Sequence, residues 1–125
     1  MDVTPLVSKG RQLIESYGDG AFKISGVVYT APVIVFPESC FSPDYFEADE
    51  SNFRLLREVF RTSYSPSVLL YGTGKNTSLI PEIEKEFVRQ QNCVLDLMNT
   101  GAACRTFNVL CAEDRRVAAV LFPVD

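Results

Sequence analysis

The chain contains no histidine. That one absence removes the commonest general base and the commonest zinc ligand, and with them many enzyme classes. The four cysteines, Cys40, Cys93, Cys104 and Cys111, form no Cys-x-x-Cys pair. A domain of 125 residues needs no disulfide staples to fold, so they read as reduced thiols. No segment reaches the roughly 18 to 20 apolar residues that span a bilayer as a helix. Residues 1–10 carry no apolar stretch of signal-peptide length either. The expectation is a cytoplasmic protein with no transmembrane segment, any membrane role being peripheral. A membrane barrel is also excluded, since bacterial barrels need at least about 8 long alternating strands and much of this chain has helical periodicity. Positive charge is scarce as well: 12 Lys and Arg against 16 Asp and Glu give a net charge of −4. The cations are scattered, and a field of that sign repels phosphate backbones, so nucleic acid is excluded as a partner.

What is present supports one hydrophobic core. The hydrophobic fraction is 46%, with 9 Phe and 5 Tyr, far from the composition of a disordered chain. Folding should bury roughly two-thirds of the unfolded surface. No repeat, linker or low-complexity tract divides the sequence, which predicts a single domain over residues 1–125 with 1–10 as a partly ordered arm.

The first third predicts a β-meander. Arg11 to Tyr17, Ala21 to Ile24 and Val27 to Tyr29 are short β-type runs separated by Gly18-Asp19-Gly20 and Ser25-Gly26, where glycine supplies the positive φ of tight hairpin turns. Val33 to Phe36, between Pro32 and Pro37, is a continuous apolar run suited to a strand covered on both faces. From Asp49 the period changes to that of a helix of about three turns, with Phe53, Leu56 and Phe60 on one stripe, Leu55 and Val59 beside it, and Arg54, Arg57, Glu58 and Arg61 facing water. Val68 to Tyr71 is a second buried strand. A helix follows from about Pro81, at its first position, to Gln91, with Ile80, Ile83, Phe87 and Val88 as its apolar stripe. Cys93 to Met98 is a third strand, then a helix that Thr100 can cap, with Ala103, Phe107, Leu110 and Cys111 on one face and Cys104 at its edge. Val117 to Phe122 is the last strand. The fold class is α/β: a three-layer mixed sheet with packed helices and a β-rich N-terminal layer.

Four places invite a chemical reading. Gly72-Thr73-Gly74-Lys75 follows a strand, but the third glycine of a dinucleotide fingerprint is replaced by Thr77. The glycine a P-loop needs five residues before Gly74 is Leu69, and Asn76 stands where it needs Ser or Thr. The segment reads as a strand-to-loop turn. Asn99-Thr100-Gly101 joins a strand end, a capping hydroxyl and helix N-terminal amides, an arrangement that holds anions, and Arg105 adds charge. Ligands in such sheets settle beyond the carboxyl ends of strands, so Gly72, Thr73, Gly74, Asn99, Thr100, Gly101 and Arg105 form a candidate binding crevice. A capped helix with a solvated arginine is the plainer alternative. Cys104 lies early in a helix beside Arg105, two features that lower a thiol pKa, yet it has no histidine to act as base and borders the core stripe. Asp44, Glu47, Asp49 and Glu50 cluster before the first helix, where helix-dipole complement explains them better than a metal does. No metal or cofactor is expected.

Several segments, in order along nearly the whole chain, carry a resemblance: Arg11 to Gly20, Leu70-Tyr71-Gly72-Thr73-Gly74, Met98 to Asn108 with Thr100-Gly101-Ala102-Ala103-Cys104-Arg105 at its heart, and Arg115 to Ala119. The chain resembles the Mth-nine-three-eight-like (Mth938-like) domain family, whose members include the mitochondrial complex I assembly factor 3 and an adipogenesis-associated protein. The resemblance implies the same three-layer α/β fold and no established catalytic activity. It implies a module that binds another protein, a subunit of a membrane-associated complex. The departures are Asn99, where many bacterial relatives carry Asp, and Phe107, where they carry Tyr. Three functions therefore compete: a protein-binding assembly module, a small-molecule or anion-binding domain, and a thiol-dependent enzyme built on Cys104. The shortage of catalytic side chains favours the first and argues against an enzyme.

Overall fold

A computed structural model describes residues 11–43, 54–74 and 80–124. The expected arm at 1–10, the acidic cluster from Asp44 to Glu50, Phe53 and the Lys75-Asn76-Thr77 segment lie outside the described residues.

The meander forms, but its first strand starts at Ile14 and not at Arg11. β1 (Ile14–Gly18), β2 (Ala21–Ile24) and β3 (Val27–Tyr29) make an antiparallel three-stranded sheet. Both hairpins turn on two residues of positive φ, Asp19 and Gly20 in one, Ser25 and Gly26 in the other, a signature that matches the twist of the flanking strands. β1 shifts register between Ile14 and Ser16. At that irregularity the Glu15 carboxylate accepts the Gly26 N–H at 2.8 Å.

A second sheet of five strands has the order β5-β4-β8-β6-β7, formed by β4 (Val33–Val35), β5 (Cys40–Phe41), β6 (Val68–Gly72), β7 (Val94–Met98) and β8 (Val117–Leu121). It is mixed: β4 runs antiparallel to β5 and β8, while β6 is parallel to β7 and β8. The two-residue β5 carries too short a pattern to register in the sequence. β8 holds the centre, and all five of its residues are buried. Alternation along the strands divides the core in two. Val33, Val35, Leu70, Val117, Ala119 and Leu121 point to one face, where they meet Ile14, Phe22 and Ile24 of the small sheet and Ala103, Cys104, Phe107 and Cys111 of α3 (Thr100–Ala112). Ile34, Leu69, Tyr71, Ala118 and Val120 point to the other, against Leu55, Leu56 and Val59 of α1 (Arg54–Val59) and Val88 of α2 (Glu82–Gln90). The molecule thus has three layers: two helices, the mixed sheet, and α3 beside the β-meander.

Three local expectations need correction. Leu55, Leu56 and Val59 are buried and Phe60 packs against the same cluster as expected, but α1 stops before Phe60, whose N–H bonds the Arg57 carbonyl at 3.1 Å in a tightened last turn. Ile83 does not join the apolar stripe of α2, being 70% exposed; α2 packs on edge strand β7 and buries only Val88. Pro81 precedes the helix as its N-cap, with extended ψ of 146°, and is not its first turn residue.

Candidate functional site

The two glycine-containing segments do meet. Gly72 at the end of β6 lies opposite Met98 of β7 and Leu121 of β8, so three strands stop at one level and α3 begins there. A Cβ on Gly72 would sit 3.1 Å from the Ala103 Cβ and 3.2 Å from the Thr100 Cα, tighter than ordinary contact. The missing side chain lets the helix start directly against the sheet.

The cap is Asn99, not Thr100. The Asn99 Oδ1 accepts the Ala102 N–H at 2.8 Å, and Thr100 is the first helical residue. Its hydroxyl works inward, accepting the Gly74 N–H at 2.9 Å and donating to the Phe122 carbonyl at 2.7 Å. The Thr100 N–H in turn donates to the Gly74 carbonyl at 2.9 Å, and the Thr73 N–H to the Met98 carbonyl at 3.0 Å. With Thr100 at 0% and Thr73 at 2% exposure, the junction is packed shut among the described residues. The Ala103 N–H also has an acceptor, the Asn99 carbonyl at 3.0 Å. The Thr100, Ala102 and Ala103 amides of the first turn are thus committed to the protein's own oxygens. Over them lies the phenol of Tyr17, a residue the sequence reading did not single out: a Cβ at Gly101 would fall 2.5 Å from its hydroxyl. Arg105 turns to that hydroxyl too, its Nη1 donating at 3.0 Å. Residue by residue, the expected crevice has become a joint between β1, α3 and three strand ends.

Cys104 is 3% exposed and packs in the core of the α3 side. Burial pushes its thiol up to about 12, and the neighbouring Arg105 guanidinium pulls the other way without reversing it. The thiol is therefore protonated at neutral pH, the form that packs well and attacks poorly. Burial likewise pushes Cys40 and Cys93 up to about 11 each. The linkage has a definite sign. These three groups hold protons more tightly folded than unfolded, so their contribution to stability is complete below about pH 9, the ordinary thiol value, and drains away above it. Urea midpoints measured from pH 8 upward should fall beyond that point, and Cys104→Ala should flatten the fall; an equally steep decline in that variant would contradict the assignment.

An open concavity does exist, at the opposite end of the sheet. A cleft of about 500 Å³ lies between the turn after β4, the loop after α1 and the turn from α3 into β8. Phe36, Phe41 and Tyr64 form an aromatic wall: Phe36 stacks on Phe41 with centroids 6.2 Å apart and meets Tyr64 edge-on at 5.4 Å. Three guanidinium groups face the same space. Arg11 pairs with Asp114 at 2.5 Å, Arg116 donates twice to the Ser65 carbonyl at 2.7 and 3.0 Å, and Arg115 lines the cleft beside them. Asp114 takes a positive φ of 59° just after α3, and the two arginines that follow it line the cleft. Burial raises the Tyr64 phenol, partly offset by Arg116. The Arg115-Arg116 pair was the only signal in the sequence; the rest of the cleft comes from distant segments.

Asn108 also went unnoticed. Its side chain accepts the Ile14 N–H at 3.0 Å and donates to the Ile14 carbonyl at 2.9 Å, standing in for a neighbouring strand where β1 shifts register and tying the meander to α3.

A family model described as "Protein of unknown function (DUF498/DUF598)" matches residues 14–122. Among curated proteins, the NADH dehydrogenase (ubiquinone) 1 alpha subcomplex assembly factor 3 of Xenopus tropicalis is 29% identical over 110 residues, 88% of this chain and 60% of that protein. The chain thus spans three-fifths of that relative's length. The crystal structure titled as an outer membrane protein from Bartonella henselae is 37% identical, with a TM-score of 0.75 over 93% of this chain and 98% of that one. A solution structure from Bordetella pertussis, titled an Mth938-like domain, is 25% identical, with a TM-score of 0.77 over 98% and 92% of the two chains.

Proposed function

Because this chain belongs to the DUF498/DUF598 family of proteins of unknown function, whose model spans all eleven strands and helices described above, we propose that it is a protein-binding assembly module for a membrane-associated complex. The observation that carries the reading is the likeness to the NADH dehydrogenase assembly factor, which runs through 88% of the chain. The geometry favours it over catalysis at the residues first suspected. Thr100 bridges backbone groups, Arg105 holds Tyr17, and Cys104 is buried and protonated. Asn99 caps a helix, work that Asp performs equally well, so an acidic residue there in relatives needs no chemical role. No helix among the described residues is long and apolar enough to cross a membrane, and a cytoplasmic module touching the complex from outside the bilayer fits that reading.

The test is genetic. Deleting the gene should lower the amount of assembled NADH dehydrogenase on native gels and accumulate subassemblies, and the wild-type chain should restore it. Unchanged amounts of complex and of every subassembly would overturn the proposal.

A further inference from the structure

We infer that the cleft between Phe41, Tyr64 and Arg115 is a binding site for a small aromatic monocarboxylate. Its volume, about 500 Å³, lies within the usual range for small-molecule sites. Its composition is that of such sites: an apolar wall with a few convergent polar groups. Phe36, Phe41 and Tyr64 already meet one another in stacked and edge-on contacts, and a flat ring extends that set.

Charge selects the other half of the ligand. Three guanidinium groups and two carboxylates, Glu38 and Asp114, line the cleft, a local surplus of one positive charge on a chain of net charge −4. Asp114 is engaged with Arg11, and the Arg116 guanidinium bonds only a neutral carbonyl among the described residues. Arg115 has no side-chain partner among the described residues, so its fork is available for a bidentate carboxylate. Glu38 and Asp114 set the upper limit: a dianion would meet like charge from both, while a monoanion satisfies the surplus. The inference stands apart from the assembly role, since a module can bind a metabolite whether or not it helps build a complex.

Titration of the ¹⁵N-labelled chain with phenylacetate, its neutral isostere phenylacetamide, phenyl phosphate, and a short peptide ending in phenylalanine with a free carboxylate tests it. Phenylacetate should give saturable shifts confined to the amides of Ser39, Tyr64, Arg115 and Arg116, and bind about tenfold or more tightly than phenylacetamide, with phenyl phosphate weaker than phenylacetate. Arg115→Gln, at an exposed position, should erase that preference while leaving the rest of the spectrum unchanged. Phe41→Ala should weaken both ligands alike. Tighter binding of the peptide than of phenylacetate would assign the same aromatic carboxylate chemistry to a protein terminus; weaker binding would assign it to a free metabolite. Equal affinity for acid and amide, unsaturable shifts, or full retention of the preference in Arg115→Gln would overturn the inference.

Discussion

Phe107→Ala should cost about 3–5 kcal/mol of unfolding free energy, the range for emptying a buried aromatic site. Phe107 is fully buried in the cluster that joins α3, the meander and one face of the central sheet. Its surroundings include Leu70, Val117 and Ala119 from strands and Phe22 and Ile24 from the small sheet. Regular sheet neighbours cannot collapse into the space it leaves, because their backbones are held in register on both sides. A domain of this size has about 5–15 kcal/mol in total, so the variant should lose a large part of it. Urea denaturation checks this: the midpoint should drop with the slope unchanged. Val109→Ala, on the same helix but 55% exposed, should move stability by about 0.5 kcal/mol or less. Equal effects from the two would mean that α3 does not dock as described.

Thr100→Val should cost about 2–4 kcal/mol, although it conserves shape and adds no polar group. The loss comes from hydrogen bonding. The Thr100 hydroxyl is the acceptor for the Gly74 N–H and the donor to the Phe122 carbonyl in a joint with no exposure. Valine leaves the Gly74 N–H facing a methyl group in place of the oxygen that now accepts it. Thr100→Ser keeps the oxygen and gives up one methyl group, so its cost should be about 1 kcal/mol. Hydrogen exchange adds a local reading: the Gly74 amide should lose protection in Thr100→Val and keep it in Thr100→Ser. If the two variants were equally stable, the bridge would carry none of the stability assigned to it.

The architecture was legible because its central strands advertise themselves. Runs such as Val33 to Phe36 and Val117 to Phe122 are apolar without alternation, which only burial on both faces permits. The meander was legible through its turns, where Asp19-Gly20 and Ser25-Gly26 require positive φ. Periodicity misled at Ile83, because it reports which residues share a face and not whether anything covers that face. The cap slipped by one residue since Asn99 and Thr100 are both good N-cap types, and only three-dimensional contacts distinguish the one that bonds Ala102 from the one that bonds Gly74. The candidate site fared less well. Strand-end glycines with a following helix look alike in sequence whether they cradle a ligand or let a helix approach closely, and here Ala103, Leu121 and Tyr17 occupy the space. The cleft was hidden for the opposite reason: Arg11, Glu38, Tyr64 and Arg115 come from four segments that no local pattern connects.

The position of β8 has a bearing on how the protein is made. The strand that separates β4 from β6 is the last of the eight described strands to leave the ribosome. Until it arrives, a nascent chain holds the β4-β5 and β6-β7 pairs with no common neighbour, and the two pairings that join them wait on contacts between distant parts of the polypeptide. Synthesis therefore passes through a stretch in which the two halves of the central sheet stand apart, and a premature stop anywhere before Val117 yields a chain whose larger sheet lacks its central strand.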